Sequence, residues 1–114
     1  LIRARLGEIL APSFTPPMDT KDVFMVGLLS LLHIALDKTK EELINELSMA
    51  DKIRDSLLGD NGPYSELLVF YKNYENANWD EVARFSAKYG MSCASINYAY
   101  VKSVKWCNDL IDAY

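Results

Sequence analysis

The chain has 114 residues with a formal net charge of −4, half of them hydrophobic and a quarter charged. That length suffices for one packed domain, and that composition is globular rather than disordered. An acidic chain without a basic patch excludes a general affinity for nucleic-acid backbones. The longest apolar stretch is cut by Gly27, Ser30 and His33. It falls short of the roughly 20 residues that cross a bilayer, so no membrane association is expected.

The chain begins with LIRARLGEILA, a sequence that reads as the middle of a helix. The start is therefore predicted to be a fragment boundary. Ile2, Leu6, Ile9 and Leu10 make one apolar face, Arg3, Arg5 and Glu8 lie elsewhere, and Pro12 ends the helix. The connector APSFTPPM is predicted to be extended. Asp19 or Thr20 then caps the stretch on which the rest is organised, running from Asp19 to about Asp37. On a helix, Asp22, Ser30, His33 and Asp37 form a narrow polar stripe, and almost everything else around the circumference is apolar. Such a helix is predicted to be central and buried.

Shorter helices follow. Thr39-x-x-Glu42 is a capping box, with Leu43, Ile44 and Leu47 expected inward; Ser48-x-x-Asp51 resembles a second one, with Ile53, Leu57 and Leu58 inward. Gly59 is a stop signal, Asp60 to Gly62 a turn, and Pro63 suits a first helical position. The next helix is expected to bury Leu67, Leu68, Tyr71 and Tyr74. Asn78-x-x-Glu81 caps another, with Trp79, Val82, Ala83 and Tyr89 as its stripe and Gly90 as its stop. Ser92 caps the longest, whose inner positions are predicted to be Ile96, Tyr100, Val104, Cys107, Ile111 and Tyr114. No β-type alternation occurs. The prediction is an all-α bundle of about seven helices around a central buried one.

Little in this pattern carries chemistry. His33, the sole histidine, and Asp37 at i+4 supply at most two metal ligands from one helix face, and Asp22 is too distant to join them. Neither a catalytic nor a metal site is expected, and no cofactor. Cys93 and Cys107 would lie about 21 Å apart along one helix, beyond disulfide reach, and are predicted to be free thiols in a reducing cytoplasm. Arg3, Arg5 and Glu8 form a charged set in which Arg5 and Glu8 can pair at i, i+3. They read either as an anion contact or as helix-surface or interdomain ion pairs.

Taken together and in order, RARLGEILA, FMVGLLSLL, IRDSLLG, NANWDEVARF and finally Tyr100 with Val104-Lys105-Trp106 resemble the HDOD (HD-related output domain) family. The form it is most similar to ends bacterial EAL–HDOD signalling proteins. The resemblance runs from about Ile2 to Leu110. Two departures stand out: His33 sits where that pattern has an acidic residue, and the Ala11–Met18 connector is rich in proline.

The resemblance implies a cytoplasmic, HD-like but non-catalytic output module. On this reading residues 1–114 are the C-terminal part of one HDOD domain, lacking its first helices and an upstream EAL-like domain linked to cyclic-di-GMP. Function would then lie in protein contacts, made with a partner or with that upstream domain. The candidate surface is Arg3, Arg5, Glu8, Asp22, Ser30, His33 and Asp37, and apolar surface bared by truncation would favour self-association. The alternative is a metal-dependent phosphohydrolase-related domain that binds or hydrolyses a cyclic nucleotide, with Arg3 and Arg5 as phosphate contacts.

Overall fold

The computed structural model describes residues 1–59 and 62–113. Among them are seven α-helices, one 3-10 turn and no strand. They are α1 (Ile2–Leu10), the turn Ala11–Ser13, α2 (Thr20–Ala35), α3 (Lys40–Glu46), α4 (Asp51–Leu57), α5 (Ser65–Glu75), α6 (Trp79–Tyr89) and α7 (Cys93–Asp112). The all-α class is therefore as the sequence predicts. The Asp60–Gly62 turn falls largely, and Tyr114 wholly, outside the described residues.

The α1–α2 crossing organises the molecule, and glycine permits it. A Cβ built on Gly27 would stand 2.7 Å from the Ala4 nitrogen and 2.8 Å from its Cα. Only a residue without a side chain lets the two backbones approach so closely. α7 packs along the other side of α1, α4 lies on α2, α5 joins α4 to α6, and α6 touches α7. The core between them is built from Leu6, Leu10, Val23, Val26, Leu67, Phe70, Tyr71 and Ile96, among others. Removing each such side chain from water is worth about 1.5–3 kcal/mol, the main favourable term in holding the bundle together.

Local signals explain most of the helix ends. Asp19 caps α2, accepting hydrogen bonds from the backbone of Lys21 (2.9 Å) and Asp22 (3.0 Å). Thr39 and Glu42 form the reciprocal capping box on α3. Gly59 and Gly90 take the left-handed conformation that ends a helix, and Ser92 caps α7 through the Ser95 nitrogen.

Several expectations are corrected. Ser48-x-x-Asp51 forms no box; α4 starts from Ala50 without a side-chain cap. Pro63 lies in a turn before α5, not at its first position, and Asn78 makes no side-chain cap bond, its amide nitrogen donating to Asn73. The connector is not wholly extended, since Pro12 sits inside the 3-10 turn. The inner face of α1 is Arg3, Ala4, Leu6, Gly7 and Leu10, with Ile2 and Ile9 only half-buried. Small residues win those positions because α2 and Tyr71 come so near.

The largest correction concerns α2. It is central but not buried on nearly all sides: Met25 and Leu31 are about two-fifths exposed and Ile34 two-thirds. Leu47, Leu58, Trp79 and Ile111, expected inward, are also exposed, as is Ala83. Each apolar spacing was read correctly as helical. What the spacing does not show is which apolar face another helix covers.

Candidate functional site

Arg3 occupies the buried junction of three helices. Its guanidinium donates from Nε and Nη2 to both oxygens of Glu75, at 2.7 and 2.6 Å, and from Nη1 to the Ser30 hydroxyl at 3.2 Å. The same group lies over the Tyr71 ring, 6.0 Å from its centroid. Ser30 in turn donates to the Gly27 carbonyl at 2.8 Å. A fork matched to a carboxylate is among the strongest polar contacts available to a protein. Here it ties α1, α2 and the end of α5 together. The Tyr71 hydroxyl beneath it has no hydrogen-bond partner among the described residues, and burial pushes its pKa well above the ordinary tyrosine value.

The remaining candidates separate. Arg5 pairs with Glu8, at the i, i+3 spacing that the sequence suggests, and stacks over Trp106 of α7 at 5.6 Å. Asp22 accepts a hydrogen bond from the Tyr64 hydroxyl at 2.8 Å. Burial, then that bond, raises the Tyr64 pKa. His33 is half-buried, its Nδ1 without a partner among the described residues, and Asp37 is exposed, beyond the end of α2, with φ 54. Arg3, Asp22 and Ser30 are thus engaged in internal bonds, and the stripe is not one continuous surface. Among the described residues, no three of His, Cys, Asp and Glu stand close enough to hold a metal ion. Cys93 and Cys107 are both free thiols, Cys93 exposed and Cys107 buried.

Above the Arg3–Glu75 pair opens a crevice of about 500 Å³, walled by Leu1, Leu31, Tyr100, Cys107 and Ile111. Leu1, Leu31 and Ile111 are 49, 42 and 63% exposed. Its floor is a satisfied ion pair, and its walls are mostly apolar, with Asn108 the polar exception. A second shallow groove, between α5 and α6, has Phe70 and Phe85 below a rim of Glu66, Lys88, Glu81 and Arg84. Lys88 donates to Glu66 at 2.6 Å, and Tyr89 donates to the same carboxylate. Those two bonds hold the Glu66 pKa below the usual carboxylate value, while the bond to Glu66 raises that of Lys88. Every charge on this rim has a partner of the opposite sign.

Sequence reasoning missed Glu75, Tyr71 and Trp106 as partners of the two arginines. One signal was present: Arg3 shares a helical face with Leu6, Gly7 and Leu10, and an arginine carried into the core must find an anion.

Two proteins resemble the chain along nearly its whole length. It is 31% identical over 113 residues to the uncharacterized protein YuxH of Bacillus subtilis, covering 99% of this chain and 27% of that protein. It is 24% identical over 110 residues to the cyclic di-GMP phosphodiesterase CdgJ of Vibrio cholerae serotype O1, covering 96% of this chain and 26% of that one. The chain thus spans about a quarter of the length of the relatives it matches. No family model matches it, and no solved structure does. No described helix is long and apolar enough to cross a membrane.

Proposed function

We propose that this chain is a non-catalytic regulatory module of a bacterial cyclic-di-GMP signalling protein, of the HDOD type, acting through contacts with an EAL-like domain of the same polypeptide or with another protein. The observation that carries the reading is the similarity to a cyclic di-GMP phosphodiesterase along 96% of the chain. The chemistry of the described residues favours contact over catalysis. Arg3, the best-placed cation, has its guanidinium committed to Glu75 and Ser30, so it has little left to offer a phosphate. The crevice over that pair offers apolar walls to a partner side chain. We place the module in the cytoplasm, where cyclic-di-GMP signalling operates and Cys93 and Cys107 would stay reduced.

The test is metal content by plasma mass spectrometry after purification without chelator, together with hydrolysis of cyclic-di-GMP by the chain alone. The expected result is neither stoichiometric metal nor turnover. About one equivalent of iron, manganese or zinc with measurable turnover would overturn the reading in favour of a phosphohydrolase-related domain.

A further inference from the structure

The connector before α2 and the turn before α5 enclose a second cavity, of about 520 Å³, which shares no residue with the crevice over Arg3 and Glu75. Pro16, Pro17 and Pro63 are exposed at its rim, whereas Phe14 and Tyr64 are 3 and 5% exposed and make its inner side. Asp19, the cap of α2, and Asp22, in its first turn, supply one wall.

This lining is rich in hydrogen-bond acceptors and poor in donors. The three prolines have no N–H. The Phe14 and Met18 amides donate to the Ala11 carbonyl, and the Tyr64 amide donates to the Ser56 hydroxyl. The Tyr64 hydroxyl is spent on Asp22 Oδ2, and the Tyr89 hydroxyl on Glu66. The acceptors are not spent. Asp19 Oδ2 and Asp22 Oδ1 have no hydrogen-bond partner among the described residues, and neither carboxylate takes part in an ion pair there. Against these two negative charges stand Lys52, at the edge of the cavity, and about half a positive charge from the start of α2. The balance is negative.

We propose that this cavity is a docking site for an arginine side chain of a partner protein. A guanidinium has five N–H donors and no acceptor, which complements a lining with carboxylate oxygens to fill and few donors to give. Its planar fork bridges one oxygen of Asp19 and one of Asp22, three residues apart at the same helix end, and leaves the Asp19 cap intact. Its flat face finds aromatic surface in Tyr64 and Phe14. A lysine ammonium, a compact and strongly hydrated point charge, fits the same walls less well. Lys52 is the tethered competitor for these carboxylates. The inference does not rest on the signalling role proposed above.

The experiment is an NMR titration of the chain, read at its backbone amides, with N-acetyl-arginine amide as the probe. Its citrulline analogue, of the same shape without the charge, and free L-arginine are titrated beside it. The arginine amide is expected to bind with a dissociation constant on the order of 10 mM, as one side chain stripped of its protein, and to shift the amides of Asp19, Asp22 and Tyr64. Citrulline is expected to bind at least about fivefold more weakly. Asp19→Asn retains a capping residue and Asp22→Asn retains an acceptor for Tyr64, and each is expected to weaken binding about threefold. Lys52→Met is expected to strengthen it about twofold. No saturable shift at these residues, citrulline binding as well as arginine, or two Asn variants that bind like wild type would each overturn the proposal. So would a Lys52→Met protein that binds more weakly. Free L-arginine binding more tightly than the blocked form would overturn the protein partner in favour of the free amino acid.

Discussion

Replacing Gly27 with alanine tests the contact on which the fold turns. In an isolated helix the change stabilises by about 1 kcal/mol through propensity. Here the new methyl would lie 2.7 Å from the Ala4 nitrogen, 2.8 Å from its Cα and 2.8 Å from the Arg3 carbonyl carbon. All three are backbone atoms of a helix, so relief requires α1 to move away from α2 as a body. Overpacking costs about 1–3 kcal/mol even where side chains can yield, and more where they cannot. The overpacking term therefore wins, leaving a net destabilisation of about 1–2 kcal/mol after the propensity gain. That corresponds to a melting temperature lowered by about 4–8 °C for a domain of this size. Urea denaturation followed by far-UV circular dichroism reads it directly. Gly7→Ala gives the contrast, because its methyl meets the side-chain atoms Tyr71 Oη at 2.2 Å and Val23 Cγ1 at 2.4 Å. Adding Tyr71→Phe should recover part of that second loss and nothing of the first. A Gly27→Ala protein as stable as wild type would refute the close crossing.

Two further outcomes follow from the polar contacts. Removing the carboxylate in Glu75→Gln leaves Arg3, whose side chain is only 8% exposed, without its anion, and should cost about 2–3 kcal/mol. Arg3→Met should cost less, about 1–2 kcal/mol, because it leaves behind a Glu75 that still reaches water; equal and negligible losses in chemical denaturation would sink the three-helix junction. At Glu66 the folded-state pKa lies below the unfolded one, because Lys88 and Tyr89 donate to the carboxylate. Its contribution is therefore present above the unfolded value near 4.5 and is lost as pH falls through the folded value. The small difference in melting temperature between wild type and Glu66→Gln should be visible at pH 6 and vanish in acid. A difference that grows in acid would reverse the assignment.

How much of this was legible in the sequence depends on the range of the interaction. The caps at Asp19, Thr39 and Ser92 and the stops at Gly59 and Gly90 were readable, because a cap satisfies its own backbone neighbours. The pairing of Arg5 with Glu8 was readable for the same reason. Arg3 was not: its partners Ser30 and Glu75 lie 27 and 72 residues away, and only the tertiary fold unites them. Nor was the uncovered side of α2. An apolar residue has the same spacing whether it meets a neighbouring helix or solvent, so Leu29, at 5% exposed, and Leu31, at 42%, look alike in sequence. The polar stripe failed as a surface for a related reason. Two of its members, Ser30 and Asp22, found internal donors that sequence spacing could not reveal.

The proposed regulatory role meets its most direct test in a polypeptide that joins this chain to the EAL-like domain the proposal assigns to it. The measurement is the rate of cyclic-di-GMP hydrolysis by that polypeptide, intact, without the region Leu1–Tyr114, and with Ile111→Glu in the wall of the crevice. A regulatory module predicts that deletion changes the rate several-fold and that Ile111→Glu moves it in the same direction, with the melting behaviour of the rest unaltered. Rates identical in all three proteins would contradict it.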